Sequence, residues 1–100
     1  MVVIHMPGNG LNHIDLRVIE FACRFLGWDV EIALTPEREA FAMLGSPMVE
    51  DVVFILSKER RGYILTEFPP DSDVPRIHAR GSLQKVFETL PQAREYHRPA

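Results

Sequence analysis

Cationic side chains are concentrated in two short stretches of the sequence. Arg60 and Arg61 lie in a polar turn, and Arg76, His78 and Arg80 alternate with apolar residues. Alternation of this kind places every second side chain on one face of a β-strand. The sequence therefore predicts a basic face made of these five residues, which suits an acidic region of a protein partner. The plainer alternative is that edge strands and turns carry charges to prevent aggregation.

A glycine-containing loop suggests a second kind of chemistry. Gly8, Asn9 and Gly10 precede a predicted helix, and His13 stands in its first turn. Free amides at a helix N-terminus bind phosphate or carboxylate groups, so these four residues form a candidate site for a small anionic ligand. The loop matches neither a Walker loop nor a dinucleotide fingerprint. A plain tight turn is therefore the alternative interpretation.

Residue sets for catalysis or metal binding are not evident in the sequence. The four histidines are scattered, no pair has the spacing of metal ligands, and no serine lies in a nucleophile motif. The single cysteine, Cys23, falls at the edge of an apolar helix arc, where we expect a small packed side chain rather than a reactive thiolate. We therefore predict no catalytic residue, no metal and no cofactor.

Length and composition indicate one folded domain. The chain has 100 residues, of which 46% are hydrophobic and 25% charged, which is ordinary for a globular protein. The net charge of −3 argues against nucleic-acid binding through bulk charge. One cysteine cannot form an internal disulfide, and Pro7 interrupts the first apolar stretch too early for a signal peptide or membrane span. We expect a cytoplasmic domain over residues 1–91, with a frayed tail over 92–100 and no membrane contact.

The apolar pattern predicts the element order β-α-β-α-β-β-(β)-α. The assigned elements are strand 2–6, helix 12–27, strand 28–34, helix 35–44, strands 52–56 and 63–68, an edge strand at 74–80 whose assignment is open, and helix 82–90. The broad apolar arc of the first helix is wider than a surface helix needs, so we expect it to contact a second element besides the sheet. A homodimer would explain the same arc.

Two parts of this order decide the fold class. Thr35, Pro36 and Glu37 form the signature of a helix N-terminus, and helices between the first three strands imply parallel crossovers. The link between 56 and 63 is too short for a crossover, so these strands must form an antiparallel hairpin. The prediction is an α/β fold with a single mixed sheet and flanking helices.

This element order resembles that of thioredoxin-like and glutaredoxin-like domains over about residues 2–90. Members of that superfamily carry their redox cysteine in the loop after the first strand, and the corresponding loop here, residues 6–12, has none. The resemblance therefore implies a redox-inactive member. A receiver-like domain of the flavodoxin type is less favoured, because no acidic pair follows the first strand and the hairpin leaves no space for that fold's third helix.

Two functions follow as expectations. The first is a small non-catalytic binding or regulatory module that contacts a protein partner through the basic face. The second is a small-ligand or phosphate-binding protein, enzymes included, that uses the Gly8-Asn9-Gly10 loop at the first helix N-terminus.

Overall fold

The structure is a computed structural model and describes residues 10–45, 52–69 and 72–91. Its elements are α1 (His13–Leu26), β1 (Asp29–Leu34), β2 (Ala40–Gly45), β3 (Val52–Glu59), β4 (Gly62–Glu67), β5 (Arg76–Gly81) and α2 (Leu83–Thr89). The predicted first strand, residues Gly8 and Asn9, and the predicted tail over 92–100 lie outside the described residues.

The five strands form one antiparallel sheet in the order β1-β2-β3-β4-β5. Every strand pairs with its neighbour along the chain, as in a meander, and the predicted antiparallel hairpin is confirmed by the β3–β4 pairing. The predicted combination of helices with a single sheet is confirmed as well, but the five described strands are all antiparallel and do not form the predicted mixed sheet. The parallel crossover predicted between residues 34 and 52 is wrong, because β1 and β2 form an antiparallel hairpin there. The thioredoxin-like order is accordingly not confirmed.

The second predicted helix is a strand, and the residues that signalled a helix start form a hairpin loop. The Thr35 amide donates to the Glu39 carbonyl at 2.9 Å, and the Arg38 amide donates back to Thr35 at 2.8 Å. Arg38 adopts a left-handed conformation with φ 67°, which closes a short loop of this kind. The Thr35 hydroxyl accepts from the Glu39 amide at 3.1 Å. A threonine that could cap a helix thus caps a turn, because both motifs use the same side-chain oxygen.

Both helices pack on the same face of the sheet. Alternate side chains of the central strands, such as Leu44, Phe54 and Leu65, are buried there against Ile19 and Cys23 of α1 and against α2. The residues between them point to the opposite face, where Met43 pairs with Ile55 in the sheet register. These opposite-face side chains are partly exposed.

The ends of both helices follow the sequence prediction. Asn12 caps α1 in a capping box with Asp15, and Gly27 ends the helix in the left-handed conformation with φ 84°. Ser82 caps α2 by accepting from the Lys85 amide. These caps satisfy amides and carbonyls that a helix leaves without partners at its termini.

Gly62 is expected to tolerate no side chain. Its φ is 149°, and an added Cβ would lie 2.7 Å from the Gly81 carbonyl oxygen. We predict that Gly62→Ala lowers the free energy of unfolding by about 1–3 kcal/mol, since both the backbone angle and the close contact oppose it. Urea unfolding measures the change. The exposed neighbour Arg61→Ala is the control, and an equal effect of the two substitutions would contradict the prediction.

Candidate functional site

Of the predicted anion site, the structure describes Gly10 and His13, and the neighbouring amides at the start of α1 are engaged within the chain. Gly10 and His13 flank the capping residue Asn12, whose side-chain oxygen accepts from the amides of Ile14 and Asp15 at 2.9 and 2.8 Å. The Asn12 amide donates in turn to Asp15 at 2.9 Å. An anion would have to displace these contacts, so the geometry does not favour a ligand at this end of the helix.

A polar cluster joins the first turn of α1 to the sheet. Asp15 is 5% exposed and accepts a hydrogen bond from the Tyr63 hydroxyl at 2.6 Å on Oδ1. Lys58 Nζ lies 3.4 Å from the other carboxylate oxygen, Oδ2. Three elements, α1, β3 and β4, therefore meet at one buried carboxylate.

The environment of Asp15 favours its charged form. Burial alone would raise the pKa of the carboxyl, but the Tyr63 hydroxyl, the Asn12 amide and the Lys58 ammonium together hold the pKa below its usual 3.8. Burial, and after it the hydrogen bond to Asp15, raises the pKa of the Tyr63 hydroxyl to about 12. Tyr63 therefore stays a proton donor toward a permanent carboxylate at neutral pH.

This cluster is a structural anchor rather than a reactive centre. Both oxygens of Asp15 already accept hydrogen bonds from protein groups. The two side-chain partners of Asp15, Lys58 and Tyr63, stand 43 and 48 residues further along the chain. No local pattern signals contacts over that distance.

The predicted basic face is divided between two sides of the sheet. In β5, Ile77 lies opposite Thr66 and Ala79 lies opposite Leu65. His78, between them, is therefore the extra residue of a β-bulge. A bulge of this kind breaks the alternation of side chains along a strand. Arg80 consequently faces the same side as its partner Ile64, away from the helices.

The remaining basic residues point elsewhere or hold partners within the chain. Arg76 donates to the buried Glu67 at 3.0 Å. The centroid of the His78 ring lies 5.2 Å from that of Phe54, and His78 Nε2 lies 3.1 Å from the Thr89 carbonyl oxygen. Arg80 lies 3.8 Å from Glu59, while Arg60 and Arg61 are exposed in the β3–β4 turn. The prediction that Arg76, His78 and Arg80 share one face is wrong, because the bulge leaves Arg80 on the opposite side of the sheet from Arg76.

The largest exposed apolar feature among the described residues lies on α1. Ile14, Val18, Phe21 and Phe25 are exposed by 70, 44, 72 and 78%. Their spacing of four, three and four residues places them in one line along the helix. It is also the spacing of the a and d positions through which two helices pair in a coiled coil. We call these four side chains the α1 seam.

The α1 seam borders a groove between the two helices. The groove has a volume of about 430 Å³, and α2 contributes Leu83, Gln84, Phe87 and Glu88 to its lining. At 100° per residue, Arg17 and Arg24 follow directly beyond Phe21 on the side away from α2. The apolar surface therefore has a basic edge on α1 and an acidic edge at Glu88.

Cys23 lies on the core-facing side of α1 and is fully buried. Burial raises the pKa of its thiol to about 12, since an apolar environment disfavours the thiolate. The expectation that Cys23 packs as a small apolar side chain is confirmed.

Comparisons of the chain with models of protein families, with curated proteins and with solved structures found no match. Within the described part of the chain, no group of three or more His, Cys, Asp or Glu side chains is placed to hold a metal ion. Over the same residues, neither helix is long and apolar enough to cross a membrane.

We predict that Asp15→Asn lowers the free energy of unfolding by about 1–3 kcal/mol at pH 7, because it removes a charged acceptor from a buried hydrogen-bonded cluster. Since the pKa of Asp15 is lowered in the folded chain, its contribution is present above 3.8 and is lost as pH falls through the lowered value. The difference between the two chains should therefore shrink in acid. Urea unfolding across this range measures it, with the exposed carboxyl variant Asp73→Asn as the control. A difference independent of pH would refute the assigned role.

We also predict that Cys23 reacts with a soluble thiol reagent at least about 10²-fold more slowly in the folded chain than in urea, because it is buried and protonated. The rate of thiol release, measured by absorbance, tests this. Equal rates in the two conditions would show that the thiol is accessible.

Proposed function

We propose that this chain is a non-catalytic protein-interaction module that docks an amphipathic helix along the α1 seam. The observation that carries the proposal is the joint exposure of Ile14, Val18, Phe21 and Phe25 on one helix. The class of function is the one expected from the sequence, but the contact surface is apolar rather than basic. A partner-binding role for the five basic residues stays a prediction, although Arg80 lies on the opposite side of the sheet from Arg76.

The size of the exposed surface supports a binding role. Two phenylalanines, an isoleucine and a valine exposed to this degree leave on the order of 450 Å² of apolar area in contact with water. Soluble monomers rarely expose larger continuous apolar patches, and patches of this size are often functional. Single exposed apolar residues need no explanation, whereas four in one line do.

The shape of the surface supports a helix as the occupant. The α1 seam runs straight along the helix, and Leu83 and Phe87 of α2 form a second wall beside it. An apolar groove between two helices accepts the apolar face of a third helix, whose anchors repeat every three or four residues. A helix docked there would also reach Arg17 and Arg24 at the basic edge.

The alternative functions have less support. Beside Gly10 and His13, the described part of the predicted ligand site, the Asn12 side chain accepts from the amides of Ile14 and Asp15. At the polar cluster both oxygens of Asp15 are engaged. The thioredoxin-like resemblance does not support a different function. It requires a helix after the strand that ends at residue 34, and residues 40–45 form a strand instead. A cytoplasmic setting remains part of the proposal, since the single cysteine has no partner with which to form an internal disulfide.

The test uses a synthetic three-heptad peptide with leucine at its a and d positions and glutamate beside them, so that it matches both the α1 seam and its basic edge. We expect a dissociation constant on the order of 10 µM by calorimetry. Phe21→Asp and Phe25→Asp should each weaken binding at least about tenfold, since buried aromatic anchors dominate such interfaces.

The control is Ile77→Asp, which removes a side chain that is 53% exposed on the opposite face of the sheet. It should leave the dissociation constant unchanged. Absence of binding at about 1 mM peptide, or an equal loss in Ile77→Asp and Phe25→Asp, would overturn the proposal.

A further inference from the structure

We infer that the helix docked on the α1 seam is α1 of a second copy of this chain, so that the module is a homodimer. This inference rests on the proposed function and names its partner. Three properties of the surface support it: its apolar area, the spacing of its residues and the opposite charge of its two edges.

The apolar area fits an interface between two copies. A standard protein–protein interface buries about 1,600 Å² in total, and about 57% of that area, roughly 900 Å², is apolar. Two seams that face each other supply on the order of twice 450 Å², which is close to this amount. A polar or small partner surface would leave much of the seam without apolar contact.

The spacing fits a self-complementary contact. Val18, Phe21 and Phe25 continue the four-three-four repeat that begins at Ile14, so each copy offers the other the same line of knobs over residues 14–25. A twofold dimer uses one surface patch twice and needs no second binding surface. The α1 seam meets that requirement by itself.

The charges at the two edges select one orientation. Arg17 and Arg24 line the edge away from α2, and Glu88 lines the groove on the α2 side. A twofold axis parallel to α1 brings the basic edge of one copy against the acidic edge of the other. An axis perpendicular to α1 would instead bring arginines against arginines, which costs free energy. The two α1 helices therefore run parallel.

The first experiment measures the mass of the full chain by sedimentation equilibrium. We expect a dimer with a dissociation constant on the order of 10 µM. The double variant Phe21→Asp/Phe25→Asp should be monomeric, with at least about a 100-fold weaker association, and Ile77→Asp should remain dimeric. Both phenylalanines are largely exposed in one copy, so the double variant should keep its fold, as its urea transition will show. Ile14→Asp serves as an independent second variant of the same seam.

The second experiment tests the orientation by charge reversal. Arg24→Glu should raise the dissociation constant of the dimer about three- to tenfold at low salt, because it turns two symmetric attractions into repulsions. Adding Glu88→Arg to the same chain should restore the wild-type value. In an antiparallel pair the arginine edges would face each other, so Arg24→Glu alone would relieve their repulsion and lower the dissociation constant, and that result would overturn the parallel arrangement.

The outcomes separate this inference from the proposed function. A chain that stays monomeric at about 1 mM but binds the synthetic peptide through Phe25 overturns the homodimer and leaves the proposed function intact. A dimer that survives Phe21→Asp/Phe25→Asp uses another surface and also overturns the inference. A monomer that does not bind the peptide overturns both.

Discussion

The hydrogen bond from Tyr63 to Asp15 determines which side of α1 faces the sheet. The carboxylate is buried and its partners sit on β3 and β4, so the helix cannot rotate without leaving a buried charge unpaired, which is costly. Ile19 and Cys23 follow Asp15 at intervals of four and therefore enter the core. Phe21 and Phe25 consequently project to the outside. Their exposure is set by a specific polar contact and not by loose packing.

The sequence predicts the elements whose signals are local. Asn12, Gly27 and Ser82 identify three helix ends, and the short link after residue 56 dictates an antiparallel hairpin. The stretch from Thr35 to Gly45 is misread because a capping threonine followed by proline can begin either a helix or a tight turn. Residues 40–45 form a strand because they pair with β1 and β3. This pairing is a tertiary effect, which the intrinsic conformational propensities of the residues do not predict.

The candidate site is less accessible to sequence reasoning than the fold. Strict alternation assigns Arg76, His78 and Arg80 to one face, and a single bulged residue defeats that assignment. The contacts of Asp15 with Lys58 and Tyr63 join distant parts of the chain without any periodic signal. The α1 seam did leave a trace, because the apolar arc of the first helix is too wide for one sheet contact. The width of the apolar arc indicates that the helix carries more apolar surface than the sheet can cover. Which of these side chains stay exposed depends on the orientation of α1 about its own axis, and only the structure shows that orientation.

The meander order of the sheet has a consequence for how the chain folds. Each hairpin closes over a short stretch, and the β3–β4 connection consists of only Arg60 and Arg61, so strand pairing proceeds with little loss of loop entropy. Docking of α1 is different, because Asp15 has to find Tyr63 across 48 residues. The strands can therefore pair one after another along the sheet, whereas α1 can dock through Asp15 only after β4, which carries Tyr63, has formed.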